Sequence, residues 1–321
     1  MRDFACPHCG QQLAFENTVC LGCGGNLGFD LAARALLLVE PDKQAMCANQ
    51  YLAQCNWLVP APPDGTEPEL CESCRLTRRR PAAPEGKWLT AFGEAEAAKR
   101  RLVLELTELA LPLTGLAFDL LSSAEDPVIT GHADGVITLD LAEGDDLHRE
   151  RLRLEMDEPY RTLLGHFRHE IGHYYFGVLV TDPDRFHTLF GDPAADYQQA
   201  LDRHYAEGAP PGWENTHVSQ YATMHPAEDW AETFAHYLHM RDTLDTAAAF
   251  GFAPAGATLE RPPIGDAAFD RLIELWLPLA WALNMMNRAM GHRDSYPFVL
   301  AAPVLDKMRF IHELCASAGQ G

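Results

Sequence analysis

Two histidines four residues apart, in the run His169-Glu170-Ile171-Gly172-His173, constrain this chain more than any other feature. On a helix, positions four apart stack on one face, so both imidazoles present to one point in space. Two converging imidazoles suit a zinc ion, and Glu170 beside them is placed to act as general base on water there. A fold that uses this motif needs a helix with core on one side and a ligand face on the other. The chain holds 14 His in 321 residues, so the surroundings must support the motif against the alternative, a surface helix with two satisfied histidines.

The surroundings read as helix. Asp157 is a plausible N-cap, Pro159 suits a first turn, and Thr181-Asp182-Pro183 stops the run. Leu163, Leu164, Phe167, Ile171, Tyr174 and Val178 recur at three- and four-residue steps and make one apolar stripe. At about 100° per residue, His169 and His173 fall on the side away from Phe167 and Ile171.

A catalytic zinc usually takes three protein ligands, and two histidines leave the set incomplete. A third His six residues after His173 is absent, since position 179 is Leu. The stretch Ser219 to His239 offers a carboxylate instead. Pro226 suits the first helical position there, and Trp230, Phe234 and Leu238 form its apolar stripe. Glu228 and Glu232 share another face, flanked by the small Ala227, Ala231 and Ala235, which suits close approach to the first helix. Glu228 is the expected third ligand, with Glu232 one turn on as acceptor for the other ring N–H of a ligand His. An ordinary acidic helix face is the alternative.

Eight of the nine cysteines lie within the first 74 residues. Cys6-Pro-His-Cys9-Gly10 and Cys20-Leu-Gly-Cys23-Gly24 are two C-x-x-C-G units, the pattern of a closed four-thiolate structural zinc site. The Gly after each second Cys lets the backbone turn tightly around the sulfurs. Cys47, Cys55, Cys71 and Cys74 form a less regular second set. It reads as a second zinc site, with Cys47 and Cys55 as small core residues the alternative. A head of about 80 residues with few large apolar side chains needs metal on general grounds.

The formal net charge of -21 argues against wrapping a phosphate backbone and so against a nucleic-acid partner. Arg75, Arg78, Arg79 and Arg80 form a local basic cluster, read as a solvated edge before a nucleic-acid contact. There is no apolar run near 18 residues, so no membrane span is expected. Met1 to Cys6 lacks the apolar segment of a signal peptide, which points to a cytoplasmic protein with reduced cysteines.

Pro81 to Gly86 is Pro- and Gly-punctuated and marks the expected boundary between a zinc-ribbon domain, 1–85, and a second domain, 86–321. Beyond it, Trp88 to Leu111 reads as helix with Ala95, Ala98, Leu102, Leu106 and Leu109 on one face. Val128 to Leu141 reads as a hairpin around His132-Ala-Asp-Gly135, with Val136 to Leu141 a candidate edge strand for holding a substrate backbone. Residues 242–321 read as helical, with Pro278 interrupting the apolar run Leu272 to Leu283.

Gly165 to His173 and Tyr221 to His239 resemble the bacterial zinc-binding metallopeptidases that carry an N-terminal zinc ribbon. So do Cys71-Glu-Ser-Cys74-Arg-Leu-Thr, Gly131 to Thr138 and Glu158 to His166, so the likeness covers nearly the whole chain. More distantly the site is similar to lethal-factor-type gluzincins, in which a Tyr seven residues before the ligand Glu hydrogen-bonds the developing oxyanion. Tyr221 stands seven before Glu228, and the resemblance implies that role for it.

The expectation is an α+β chain: a zinc ribbon, then a mostly helical gluzincin-like domain with a small β-sheet. Its expected activity is zinc-dependent hydrolysis of a peptide bond in a peptide or protein substrate. The expected metals are one catalytic Zn2+ and one or two structural Zn2+, with a protein partner possible at the ribbon. The alternative is a zinc-ribbon adaptor, or a nucleic-acid-associated protein, whose second domain is not a physiological protease.

Overall fold

In a computed structural model the described residues are 3–63, 66–81, 87–123, 127–144, 162–252, 269–296 and 300–319. The fold is α+β, with short strands first and long helices after. The chain forms two compact units: one draws on residues 1–104, 115–131 and 136–148, the other on 105–114, 132–135 and 149–321.

The first unit begins with three two-stranded antiparallel ribbons. These pair β1 (Phe4–Ala5) with β2 (Gln12–Leu13), β3 (Leu27–Asp30) with β4 (Ala35–Leu38), and β5 (Gln44–Met46) with β6 (Leu58–Pro60). Such short ribbons are marginal alone. Here an aromatic core joins them: Phe15 and Phe29 meet edge-on at 4.8 Å, and Phe29 lies 5.4 Å from Trp57. The head therefore buries more aromatic surface than its composition suggested, and metal is not its only source of cohesion.

After α1 (Glu72–Arg75) and β7 (Thr77–Arg79) comes the long helix α2 (Lys87–Glu108), close to the helix expected over Trp88 to Leu111. Residues 82–86, most of the expected linker, lie outside the described residues. Ala95 and Leu102 of α2 are buried as the periodicity required, but so are Glu96, Lys99 and Arg100. Their charges are tolerated because they are paired: Lys99 Nζ lies 2.8 Å from Glu96 Oε1, and Arg100 donates to the carbonyls of Ala53 and Gln54.

Strands β8 (Ala117–Leu121), β9 (Gly131–Ala133) and β10 (Val136–Asp140) complete a four-stranded sheet of order β7-β8-β10-β9. The hairpin turn is where the sequence put it. Asp134 and Gly135 have φ of 49° and 80°, the double left-handed turn that matches strand twist. The edge assignment needs correction. β10 pairs in parallel with β8 on one side and has β9 on the other, so β9 is the edge strand and β10 cannot accept another chain. Asp119 of β8 is buried and accepts both Arg78 Nε, at 2.9 Å, and a terminal Arg78 nitrogen, at 2.6 Å. Arg79 lies 3.8 Å from the same carboxylate, and Arg75 pairs with Glu69.

The second unit is built on α3 (Leu163–Leu179), α4 (Pro183–Phe190), α5 (Tyr197–Glu207), α6 (Pro226–Ala249), α7 (Phe269–Ala289) and α8 (Ala302–Ala318). Helix α3 starts at Leu163, its N-cap Thr162 accepting from Gly165 N. The expected caps Asp157 and Pro159 lie outside the described residues. Asp182 and Pro183 end one helix and open the next, as their chemistry demands. Of the expected α3 stripe, Val178 is exposed, and Tyr175 and Leu179 carry the apolar face onward.

Helix α6 packs on the side of α3 that carries Arg168 and Gly172 and buries both; Glu170 is buried as well. Trp230 of α6 donates its indole N–H to Gly172 O at 2.8 Å and packs among Phe186, Phe190 and Phe310. Helix α7 runs unbroken through Pro278, so the expected interruption there does not occur. Leu272, Leu275, Trp276 and Leu279 are buried, while Leu277 and Trp281 face outward. Among the described residues no helix is long and apolar enough to cross a membrane.

Candidate metal centres

In the first unit the eight cysteines of the head gather into two groups of four: Cys6, Cys9, Cys20 and Cys23, and Cys47, Cys55, Cys71 and Cys74. Gly10 and Gly24 have φ of 74° and 73°, which lets their amides turn back to Cys6 O at 2.9 Å and Cys20 O at 2.8 Å. Sulfurs bonded tetrahedrally to one zinc at about 2.3 Å sit about 3.8 Å apart. Cys6 and Cys23 are 3.7 Å apart, Cys9 and Cys20 3.6 Å, and Cys55 and Cys71 3.7 Å. The spacing fits zinc in both groups.

The irregular second group is closed and fully buried. Hydrogen bonds to neighbouring sulfurs, Cys47 first, push the Cys71 and Cys74 thiols well up, and a bound dication would take the place of those shared protons. Backbone amides of Cys71 and Cys74 point at the sulfurs of Cys47 and Cys71, at 3.2 and 3.5 Å. Glu96 Oε2 lies 3.8 Å from Cys74 Sγ, a neighbour that the cysteine spacing could not reveal. Cys315 of the second unit stands apart from both groups and is buried, which pushes its thiol up to about 12.

In the second unit α3 and α6 bring His169, His173 and Glu228 together. His169 Nε2 is 3.2 Å from His173 Nε2 and 3.1 Å from Glu228 Oε2, and His173 Nε2 is 3.4 Å from that oxygen. Ligand atoms held tetrahedrally at about 2.0–2.1 Å from zinc lie about 3.3 Å apart. Glu228 Oε2 is buried without a hydrogen-bond partner, so three lone-pair atoms converge at distances a zinc ion would impose. The donor set fits the metal.

Glu232 lies one turn further on α6, where its Oε1 is 2.6 Å from His169 Nδ1. Its Oε2 accepts from Ser219 Oγ, also at 2.6 Å. A proton on His169 Nδ1 leaves Nε2 unprotonated and facing the cluster. Burial opposes a charge on His169, but Glu228 and Glu232 outweigh it and hold its pKa well above the ordinary value. Burial likewise raises the two carboxyls, yet His169 holds Glu232 down to about 2 and, with His173, holds Glu228 well below the ordinary value.

Glu170 keeps one oxygen, Oε1, 3.2 Å from His166 Nε2, while Oε2 is buried and unpartnered. Burial pushes its pKa up, but His166 and the ligand histidines pull it below the ordinary value, so the carboxylate stays ionised. Tyr221 sits in a single 3-10 turn, Tyr221–Thr223, just before α6, with its ring 6.0 Å from that of His169. Three other histidines, His225, His236 and His132, have structural partners. His225 N-caps α6 through Nδ1, and His236 Nδ1 meets Tyr296 OH at 2.5 Å. His132 Nε2 accepts from Gly135 N inside its turn.

Three supports were not legible in the motif. Tyr197 of α5 donates its hydroxyl to Glu228 Oε1 at 3.0 Å. Arg168, beside His169 in sequence, reaches away from the cluster to Glu105 at 3.0 Å and Asp242 at 2.8 Å, tying α3 to its neighbours. Asp229, next to Glu228, pins α8 through Lys307 at 2.6 Å.

Residues 88–314 match the family described as "Putative zinc-binding metallo-peptidase", and residues 3–85 match a zinc-ribbon domain. The chain belongs to this zinc-binding metallopeptidase family. Uncharacterized proteins of Mycobacterium tuberculosis and Mycobacterium bovis are each 62% identical to it over 325 residues, covering 97% of this chain and 94% of theirs. No solved structure matches the chain. In the metallopeptidase family as in the head, the chemistry of the donor atoms is that of zinc.

Proposed function

We propose that this chain is a cytoplasmic zinc-dependent peptidase of the gluzincin type, in which His169, His173 and Glu228 hold the catalytic ion. The observation that carries the reading is the three-atom triangle of His169, His173 and Glu228, with the ionised Glu170, whose Oε2 has no hydrogen-bond partner, next in sequence. Zinc held there supplies Lewis acidity that makes water a nucleophile near neutral pH.

The chain's own residues do the rest. Glu170 Oε2 accepts the proton of the attacking water and returns it to the leaving amine, a role worth about 10²- to 10⁴-fold in rate. Tyr221 donates to the oxyanion as the carbonyl becomes tetrahedral, where one such donor is worth about 10²- to 10³-fold. Glu232 keeps His169 in the tautomer and orientation that a metal ligand needs. Both four-cysteine groups hold structural zinc, which closes the ribbon and leaves no open position for chemistry there. The substrate is a peptide or protein, and the head offers a partner surface.

Zinc counted per chain by native mass spectrometry, in wild type and Glu228→Ala, tests the site. Three zincs falling to two are expected; two in both proteins would sink the reading and favour a ribbon adaptor. Turnover of a mixed peptide library by wild type, absent from Glu170→Gln, tests the chemistry.

A further inference from the structure

Glu228 has two carboxylate oxygens, and the structure gives them different work. Oε2 faces His169 Nε2 and His173 Nε2. Oε1 accepts the Tyr197 hydroxyl at 3.0 Å. A carboxylate free at both oxygens can place either or both on a cation. One whose second oxygen is tied to a phenol is held to a single contact.

Tyr197 is built into that position rather than resting there. It is the first residue of α5, after the N-cap Asp196, whose side chain accepts from Gln199 N at 3.0 Å. His225 links that helix start to the start of α6. Its Nδ1 accepts from Ala227 N, so its Nε2 carries the proton and donates to Ala195 O at 3.1 Å. The His225 ring also lies 5.2 Å from the Tyr197 ring. His225 is buried, and Glu228 stands three residues after it, so one imidazole sets the spacing between the phenol and the carboxylate it holds.

Resting on the proposed zinc site, we propose that Tyr197 is a positioning residue that confines Glu228 to one oxygen on the metal. It thereby keeps a coordination position open for water. Tyr197 reaches the ligand set through Glu228, and its hydroxyl also meets that of Tyr221. Without its hydroxyl, Oε1 would be free to join Oε2 on the ion as an added, fifth contact that crowds the water position.

The test uses the full chain with zinc retained in the cysteine groups and cobalt(II) placed in the His169–His173–Glu228 site. Wild type, Tyr197→Phe and Glu228→Ala are compared, the last showing which metal is being read. Four-coordinate cobalt absorbs visible light several-fold more strongly than cobalt with added ligands. The Tyr197→Phe protein is expected to show a weaker cobalt band than wild type, and its zinc affinity at that site to fall about 10- to 100-fold. A general loosening of the fold would lower affinity but would not add a ligand, so the band decides. A cobalt band of unchanged intensity overturns the role of Tyr197 while leaving the zinc site standing. A wild type that binds no more metal than Glu228→Ala overturns both.

Discussion

Gly172 packs directly on Ala231. A Cβ built on the glycine would come within 2.9 Å of Ala231 Cα and 3.1 Å of its carbonyl oxygen, both backbone atoms that cannot turn aside. This contact is where α3 and α6 approach each other, one residue before His173 on α3 and one residue before Glu232 on α6. The histidines reach Glu228 because neither helix carries a large side chain at this crossing.

Gly172→Ala is therefore expected to cost about 1–3 kcal/mol by overpacking. It should also separate the ligand atoms and lower zinc occupancy of the His169–His173–Glu228 site. Denaturant unfolding and a zinc count on the same preparation check both. Unchanged stability with full zinc would mean the two helices have room to spare.

Glu170→Gln keeps the shape of the side chain and removes its basicity. Zinc content is expected to stay at the wild-type value while turnover falls about 10²- to 10⁴-fold. A variant that still cleaves the library at the wild-type rate would remove Glu170 from the reaction.

Glu232 and His169 pull the pH dependence in opposite directions. Against the rise that burial imposes, His169 holds Glu232 at about 2, so its contribution to the metal-free chain is present above about 4.5 and lost as pH falls through about 2. His169 is held well above 6.5 by Glu228 and Glu232, against burial. Its contribution is full below about 6.5 and lost as pH rises through the folded value. The metal-free chain thus draws full stabilisation from the pair between about pH 4.5 and 6.5.

Zinc binding runs the other way, because it needs the Nε2 lone pair of an unprotonated ring. Affinity should gain up to about tenfold per pH unit while His169 gives up its proton. Glu232→Gln should flatten that rise near neutral pH. Chelator competition at several pH values measures it, and a flat wild-type profile would count against His169 as a ligand.

The cysteine groups should respond independently of the second unit. Cys20→Ser and Cys71→Ser are each expected to lose one zinc by native mass spectrometry while the His169–His173–Glu228 zinc stays. Loss of two or more zincs from either variant would show that the groups are not separate sites.

What could be read from the chain alone was whatever depends on neighbours a few residues apart. A helical step of four puts His169 over His173, and Pro226 with its following stripe puts Glu228 and Glu232 on one face. The C-x-x-C-G units turn on Gly10 and Gly24 for the same local reason. Asp157 and Thr162 are both good caps, and cap chemistry alone does not choose between them; α3 starts after Thr162.

Everything else waited on pairings between distant segments. Whether Val136 to Asp140 is an edge or a central strand depends on β8, some twenty residues away, taking a parallel place beside it. Buried Glu96 and Lys99 violate the expected apolar face of α2 and are stable only because they meet each other and Thr77. Tyr197 looks like one more aromatic on a polar helix until its hydroxyl is found against Glu228, thirty-one residues on. Local geometry follows from steric rules that each residue carries with it. Burial and hydrogen-bond partnership belong to pairs, and only the packed chain assigns the partners.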